Sequence, residues 1–171
     1  MVGFKNRYLI MGVFLDPNKE FSVDEPIRIT SKNLWEAIVK SILVNFGECG
    51  LASATNSSKV KYVNPTTKHV IVRTSREDYQ KVWAAITMIK SVGHCAVVFN
   101  LLDLISKSYL FVFFKYQPAF CSGSIKACKT AALKLEELKF EQYKLSAGDR
   151  LTADAHKEMQ NCLATLELLE H

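Results

Sequence analysis

Three pairs of cations stand at places where the chain changes direction. Lys5 and Arg7 lead into an apolar, aromatic run from Phe4 to Phe14, Arg73 and Arg76 lie where a strand should pass into a helix, and Lys126 and Lys129 fall just inside a helix announced by Ser122-Gly123-Ser124. The amino end of a helix carries partial positive charge and normally attracts Asp or Glu, so two lysines there are locally unfavourable and an anion would relieve them. Backbone amides at Gly123 and Ser124, a hydroxyl and two lysines resemble a phosphate-binding helix start. Tyr8, next to Arg7, has the chemistry to stack on an unpaired base, although an aromatic in a strand is about twice as often core. Taken singly, each cationic group reads about twice as readily as solvated charge. Agreement among three groups shifts the reading toward a polyanion.

Catalysis has less support. The chain has no G-x-S-x-G, H-E-x-x-H or Walker loop, no spaced acidic cluster for a metal, and its four histidines (His69, His94, His156, His171) are scattered. Five cysteines (Cys49, Cys95, Cys121, Cys128, Cys162) form no C-x-x-C pair and read as reduced core residues. A small hydrolase of the acylphosphatase type would need an arginine loop with a positioned asparagine, which Arg7 and Asn6 imitate only weakly.

The elements that must position these cations follow from periodicity. Strand alternation puts Lys5 and Arg7 on the face that continues through Leu9, Met11 and Val13, with Tyr8, Ile10 and Phe14 opposite, so the first strand is apolar on both sides and belongs inside a sheet. Leu34, Trp35, Ile38, Val39, Ile42, Leu43 and Phe46 recur at helical spacing, with Ser31 as a cap and Gly47 and Gly50 ending the run. Lys59 to Val63 and His69 to Arg73 read as a hairpin around Asn64-Pro65-Thr66-Thr67. Ser75-Arg76-Glu77-Asp78 is close to a capping box and opens a second helix whose apolar face is Tyr79, Val82, Trp83, Ile86 and Ile89. Cys95 to Leu102 reads as a central strand. A third helix carries Ile125, Cys128, Ala132, Leu135 and Leu138 at core-like positions, and a last one runs from about Arg150 through Met159, Leu163 and Leu166. The order predicts an α+β fold: a ferredoxin-like βαββαβ antiparallel sheet, its first two helices on one face and the C-terminal helices available for the other.

At 171 residues, 49% of them hydrophobic, the chain suits one core. The expected division is a domain over 1–145 and a helical tail over 146–171. The formal charge of +5 permits polyanion binding without requiring it. No secretory leader is expected, and the apolar stretch from Cys95 to Cys121 is broken by Asp103, Lys107 and Lys115, which argues against a membrane span.

Several segments in order carry a family likeness: Met1-Val2-Gly3-Phe4-Lys5-Asn6-Arg7-Tyr8, Lys61-Tyr62-Val63-Asn64-Pro65, Val72-Arg73, Tyr79-Gln80-Lys81-Val82-Trp83, Asn100-Leu101-Leu102 and Ser122-Gly123-Ser124-Ile125-Lys126-Ala127-Cys128. Over most of residues 1–140 the chain resembles the Pop-five protein subunits shared by ribonuclease P and RNase MRP, the Pop-five/Rpp-fourteen family. The resemblance implies an RRM-like, ferredoxin-type fold and a non-catalytic subunit of a ribonucleoprotein in which RNA hydrolyses the phosphodiester, removing tRNA 5′ leaders in one particle and processing precursor ribosomal RNA in the other. It further implies RNase P RNA and RNase MRP RNA as partners, an Rpp-thirty type protein subunit beside it, magnesium ions on the RNA with no cofactor on the protein, no membrane, and residence in the nucleus and nucleolus. By motif match Lys5, Arg7 and Tyr8 are the leading RNA-contact candidates, followed by Arg73, Arg76, Ser124 and Lys126. A ferredoxin-like protein-interaction module that never meets RNA is the alternative.

One departure stands out. In the family the Asn-Leu-Leu-Asp run passes almost directly into the Ser-Gly-Ser segment, whereas here residues 105–121 intervene, including Tyr109-Leu110-Phe111-Val112-Phe113-Phe114. The family pattern resumes on the far side without a shift of frame, as a splice variant, a gene-model error or a lineage-specific loop would each produce. Six consecutive apolar residues in a loop predict poor solubility unless they pair with a sheet edge or another chain.

Overall fold

Alternation in the first strand sets the architecture, because two apolar faces require two covers. The computed structural model describes residues 6–15, 29–93, 95–101, 121–148 and 153–169. In chain order these form β1 (Asn6–Leu15), α1 (Ser31–Ser57), β2 (Lys59–Val63), β3 (His69–Ser75), α2 (Tyr79–Thr87), β4 (Ser91–Val92), β5 (Cys95–Leu101), β6 (Cys121–Ser122), α3 (Ile125–Ala147) and α4 (Ala153–Glu167). The sheet is antiparallel in the order β2-β3-β1-β5-β4, with β6 also paired to β1.

One face of β1 meets α1 and α2. Leu9, Met11 and Val13 pack there with Leu34, Ile38 and Ile42 of α1, Val82 and Ile86 of α2, and Val70 and Val72 of β3. Each such side chain taken from water contributes about 1.5–3 kcal/mol, which holds the two helices to the sheet. The other face carries Tyr8, Ile10, Tyr62 and Ile71, and α3 covers it with Ile125, Cys128, Ala131 and Ala132, joined by Leu166 of α4. The expectation that late helices cover the open face holds.

Local signals explain most boundaries. Thr30 caps α1: its Oγ1 accepts from the Asn33 amide at 3.3 Å while the Asn33 side chain accepts from the Thr30 amide at 2.7 Å. The cap therefore lies one residue before the predicted Ser31. Gly47 ends the first helical run as its type suggested: its φ of +68° and ψ of −173° are non-helical, and a second helical stretch, in which Gly50 and Ala54 are buried, follows it to Ser57. At the start of α2 the Ser75 hydroxyl accepts from the Asp78 amide at 3.0 Å, as the capping pattern predicted.

Four apolar readings need correction. Leu43, Trp83 and Leu138, placed on core faces by their spacing, are exposed, because α1, α2 and α3 each bury a narrower stripe than the sequence periodicity allows. The strand β5 is not central: only the two-residue β4 lies outside it, and Val98 opposite Phe14 leaves both side chains about half exposed on the second face.

A buried polar cluster fastens α3 to the β2–β3 hairpin. Glu136, wholly inaccessible, accepts from Thr67 Oγ1 at 2.9 Å, Asn64 Nδ2 at 3.2 Å and Tyr62 Oη at 3.3 Å, and His69 Nδ1 lies 3.3 Å from its Oε1. A carboxyl group taken this far from water is tolerated only with such a full set of partners.

The interruption between β5 and β6 has a definite register. Leu101 pairs with Met11, and the next described partner of β1 on that side is Cys121, opposite Leu9. A continuous strand would have placed residue 103 there, so β5 and β6 are two halves of one strand line along β1, separated by about eighteen additional residues. The intervening residues 102–120, which hold nearly all of the predicted insertion and its Tyr109–Phe114 run, lie outside those described.

Candidate nucleic-acid interface

Antiparallel pairing brings the scattered cations to one end of the sheet. Lys59 on β2 stands opposite Arg73 on β3, Arg73 opposite Tyr8 on β1, and Tyr8 opposite Ser122 on β6. With neighbouring strands about 4.8 Å apart, this row crosses the sheet in roughly 15 Å and leads directly into the start of α3. The adjoining rows pair Arg7 with Thr74 and Asn6 with Ser75, and exposed Arg76 follows in the turn to α2.

The structure thus groups Arg7, Tyr8, Arg73, Arg76, Ser124 and Lys126, although they approach from different faces. Lys5 lies outside the described residues. Arg7 is half-buried on the α1–α2 side, with Nη1 3.4 Å from the Asn6 carbonyl oxygen, and its guanidinium lies over Gly123, where a built Cβ would sit 2.5 Å from Nη1. Only a residue without a side chain allows that approach. Ser124 is the extended N-cap of α3, whose first turn has no acidic residue, and Lys126 points to solvent. Lys129 is occupied elsewhere, donating to the Glu167 carbonyl oxygen of α4.

Tyr8 does not offer a stacking face. Its ring is 1% exposed and packs with Ile125 and Cys128, so the core reading prevails over the base-stacking one. Burial pushes its hydroxyl upward in pKa, an effect the neighbouring Arg73 charge partly counters. The Asn6 side chain, within reach of the Tyr8 hydroxyl, counters part of the shift as well, while the cross-strand Arg73 Nε is, among the described residues, a buried polar atom without a hydrogen-bond partner.

Two cations of the cluster were missed by sequence reasoning, Lys59 and Lys61. Burial, then the charges of Arg73 and Lys59, lower the Lys61 pKa from its ordinary 10.5. The signal was present in the alternation Lys59-Val60-Lys61, but only strand register reveals that Arg73 lies across from it. Crowded like charges of this kind are costly in isolation and are relieved by a bound anion.

The residues from 7 to 106 match the family model described as the Rpp14/Pop5 family. The chain belongs to the Rpp14/Pop5 family. A curated relative from Arabidopsis thaliana, "Probable ribonuclease P/MRP protein subunit POP5", is 48% identical over 172 residues, covering all of both chains. The Schizosaccharomyces pombe "Ribonuclease P/MRP protein subunit POP5" is 29% identical, covering 87% of this chain and 96% of the relative. The Homo sapiens subunit of the same name is 34% identical over 55% of this chain and 56% of its own length. A chain in the cryo-EM structure of yeast ribonuclease MRP overlaps 84% of this one and 95% of itself at 12% identity and a TM-score of 0.45, a likeness too slight to add to the case. Members of the family so named are protein subunits of a ribonuclease, and among the described residues of this chain no group of three or more His, Cys, Asp or Glu is placed to hold a metal ion.

Proposed function

We propose that this chain is a non-catalytic protein subunit of the ribonuclease P and RNase MRP ribonucleoproteins, binding and stabilising the catalytic RNA during tRNA 5′-leader removal and pre-rRNA processing. The observation that carries the reading is full-length identity of 48% to a relative named as such a subunit, together with the row Lys59–Arg73–Tyr8 that ends at the α3 start. The sheet order β2-β3-β1-β5, with helices after β1 and β3, supports a ferredoxin-like, RRM-related description. Residues 1–145 form that domain and 146–171 its tail in this reading.

Arg7, Arg73, Arg76, Lys59, Lys61 and Lys126 neutralise phosphates of a folded RNA, while magnesium ions on that RNA supply the chemistry. The Arg73 guanidinium, on the strand row that leads to the α3 start, is suited to a phosphate oxygen brought against this end of the sheet. An Rpp-thirty type subunit is the neighbouring protein, and the nucleus and nucleolus are the site of action. Purification of the tagged protein and sequencing of the RNA bound to it tests the reading. Recovery of both ribonuclease P RNA and RNase MRP RNA is expected; a preparation without any stable transcript overturns it.

A further inference from the structure

The face of the domain remote from the cationic row has an apolar groove that the RNA reading leaves unused. It is an open depression of about 480 Å³ between α1 and the connection from α2 to β4, where Ala37, Val44, Met88 and Ile89 form an apolar stretch among polar neighbours, with Lys40 and Lys90 at the rim. Val44 is 74% exposed and Met88 45%. The helix α1 is apolar around much of its circumference: Leu34, Ile38 and Ile42 enter the core, yet Leu43 and Val44 face outward. A helix of that composition is normally covered on more than one side.

Two polar side chains of the groove, Ser41 and Asn45, are already satisfied. The Ser41 hydroxyl donates to the Ala85 carbonyl oxygen at 2.6 Å, locking α1 to α2, and Asn45 Nδ2 donates to the Ser41 carbonyl oxygen at 2.8 Å. What the floor offers a ligand is therefore apolar surface, held in a fixed shape, as a preformed docking site requires. The rim offers positive charge, because among the described residues neither Lys40 nor Lys90 forms an ion pair. Glu36 is the one carboxylate lining the groove.

We propose that this groove docks an amphipathic segment of another protein, one whose apolar side chains seat between Val44 and Met88 and whose flanking carboxylates meet Lys40 and Lys90. The exposed apolar pair Val44 and Met88 selects such a segment over RNA, which would gain nothing from it, and the rim lysines set the charge of the segment's flanks. Lipid is disfavoured by the carboxylate of Glu36 and the amide of Asn45 on the same surface. The surface is separate from the cationic row, so docking and RNA binding are separable in one molecule.

The test places a photo-crosslinking amino acid at position 44 of the full chain in cells and identifies the captured peptide after purification. The expected product is a segment of a different protein with acidic residues flanking apolar ones, formed at least tenfold less when Lys40→Glu and Lys90→Glu are present, with an unchanged melting curve and unchanged RNA recovery. Crosslinks to RNA, to lipid or to a second copy of this chain, capture of a segment lacking acidic residues, no crosslink, or insensitivity to charge reversal would each overturn the proposal. Loss of RNA recovery from the parent chain would instead strike at the ribonucleoprotein reading and leave this one standing.

Discussion

Cys121 stands opposite Leu9 on β1, two positions along from the pair formed by Leu101 and Met11. Both halves of the strand line keep the register of an uninterrupted strand, so the additional residues leave the pairing of β1 intact. Removal of residues 103–120, joining Leu102 to Cys121, should give a chain that folds to the same sheet. Relief of loop closure is worth up to about 2.5 kcal/mol, so stability should be unchanged or higher. Thermal melting and hydrogen exchange at β1 check this; a destabilised or aggregated product would show that the segment is part of the fold.

Gly123 and Arg7 form the second relationship with a direct test. A methyl group at Gly123 would come within 2.5 Å of Arg7 Nη1, and since that atom ends a flexible side chain, Gly123→Ala should displace the guanidinium without unfolding the protein. The expected result is a several-fold loss of affinity for structured RNA and a salt dependence shallower by about one phosphate contact, with a melting temperature close to the parent's. Equal affinity across a salt titration would remove Arg7 from the interface.

Lys61 should trade stability for binding. Its pKa is lowered in the folded chain by burial and then by Arg73 and Lys59, so the unfolded chain binds more protons between that lowered value and 10.5. Stability of the free protein should therefore rise with pH in that window, and the rise should be weaker in Lys61→Gln. The same substitution should raise the melting temperature at neutral pH and weaken RNA binding. A lower melting temperature together with unchanged binding would mean that packing of the lysine stem matters more than its charge.

Much of this arrangement was readable in the chain, but unevenly. The Ser75-to-Asp78 cap and the Asn64-Pro65-Thr66-Thr67 turn are local and appear where expected, because each is decided by a few neighbouring groups. Periodicity also assigned Leu9 and Tyr8 to opposite faces. It failed where width or distance decides: Leu43, Trp83 and Leu138 lie at core spacing yet outside the buried stripe, and Gly50, read with Gly47 as a stop, lies buried in the helical stretch that follows the break at Gly47. For the interface, Arg7 and Arg73 were visible as types, whereas Lys59 needed its partner across the sheet, and Tyr8 needed α3 in place before its ring could be assigned to the core. Glu136 gave no warning, since a single glutamate in a helix looks solvated until the hairpin beneath it is known.

Asp78 predicts the acid limb of stability. Burial alone would raise its pKa, but hydrogen bonds from Ser53, Ser75 and Lys81 and the Lys81 charge outweigh it, and the net value lies below the ordinary 3.8. With a depressed folded-state pKa, its contribution is complete above 3.8 and is lost as pH falls from there through the folded value. Asp78→Asn should cost about 2 kcal/mol at pH 7, since it weakens charge-assisted bonds joining α1, β3 and α2. It should also flatten the stability profile in that acid window. Parallel urea denaturation of both proteins from pH 7 to pH 3 checks the sign; a constant difference throughout would show that the carboxylate's charge is not what matters.

The Glu136 cluster predicts how α3 is held. Replacing Glu136 with Ala would leave Thr67, Asn64 and Tyr62 without their shared acceptor in a buried site, and truncation of one member of such a set typically costs about 3–5 kcal/mol. Glu136→Gln keeps an acceptor oxygen and adds a donor that the Tyr62 or Thr67 oxygen can accept, so it should cost less, about 1–2 kcal/mol. The difference should appear in α3 and not in the other layer, because Leu9, Ile38 and Ile86 pack on the opposite face of the sheet. In the Ala variant, amide exchange should quicken across α3 and the Cys128 and Cys162 thiols should become reactive, while α1 stays protected. Equal loss of protection in α1 and α3 would mean that the two faces unfold as one cooperative unit and that Glu136 secures the whole domain.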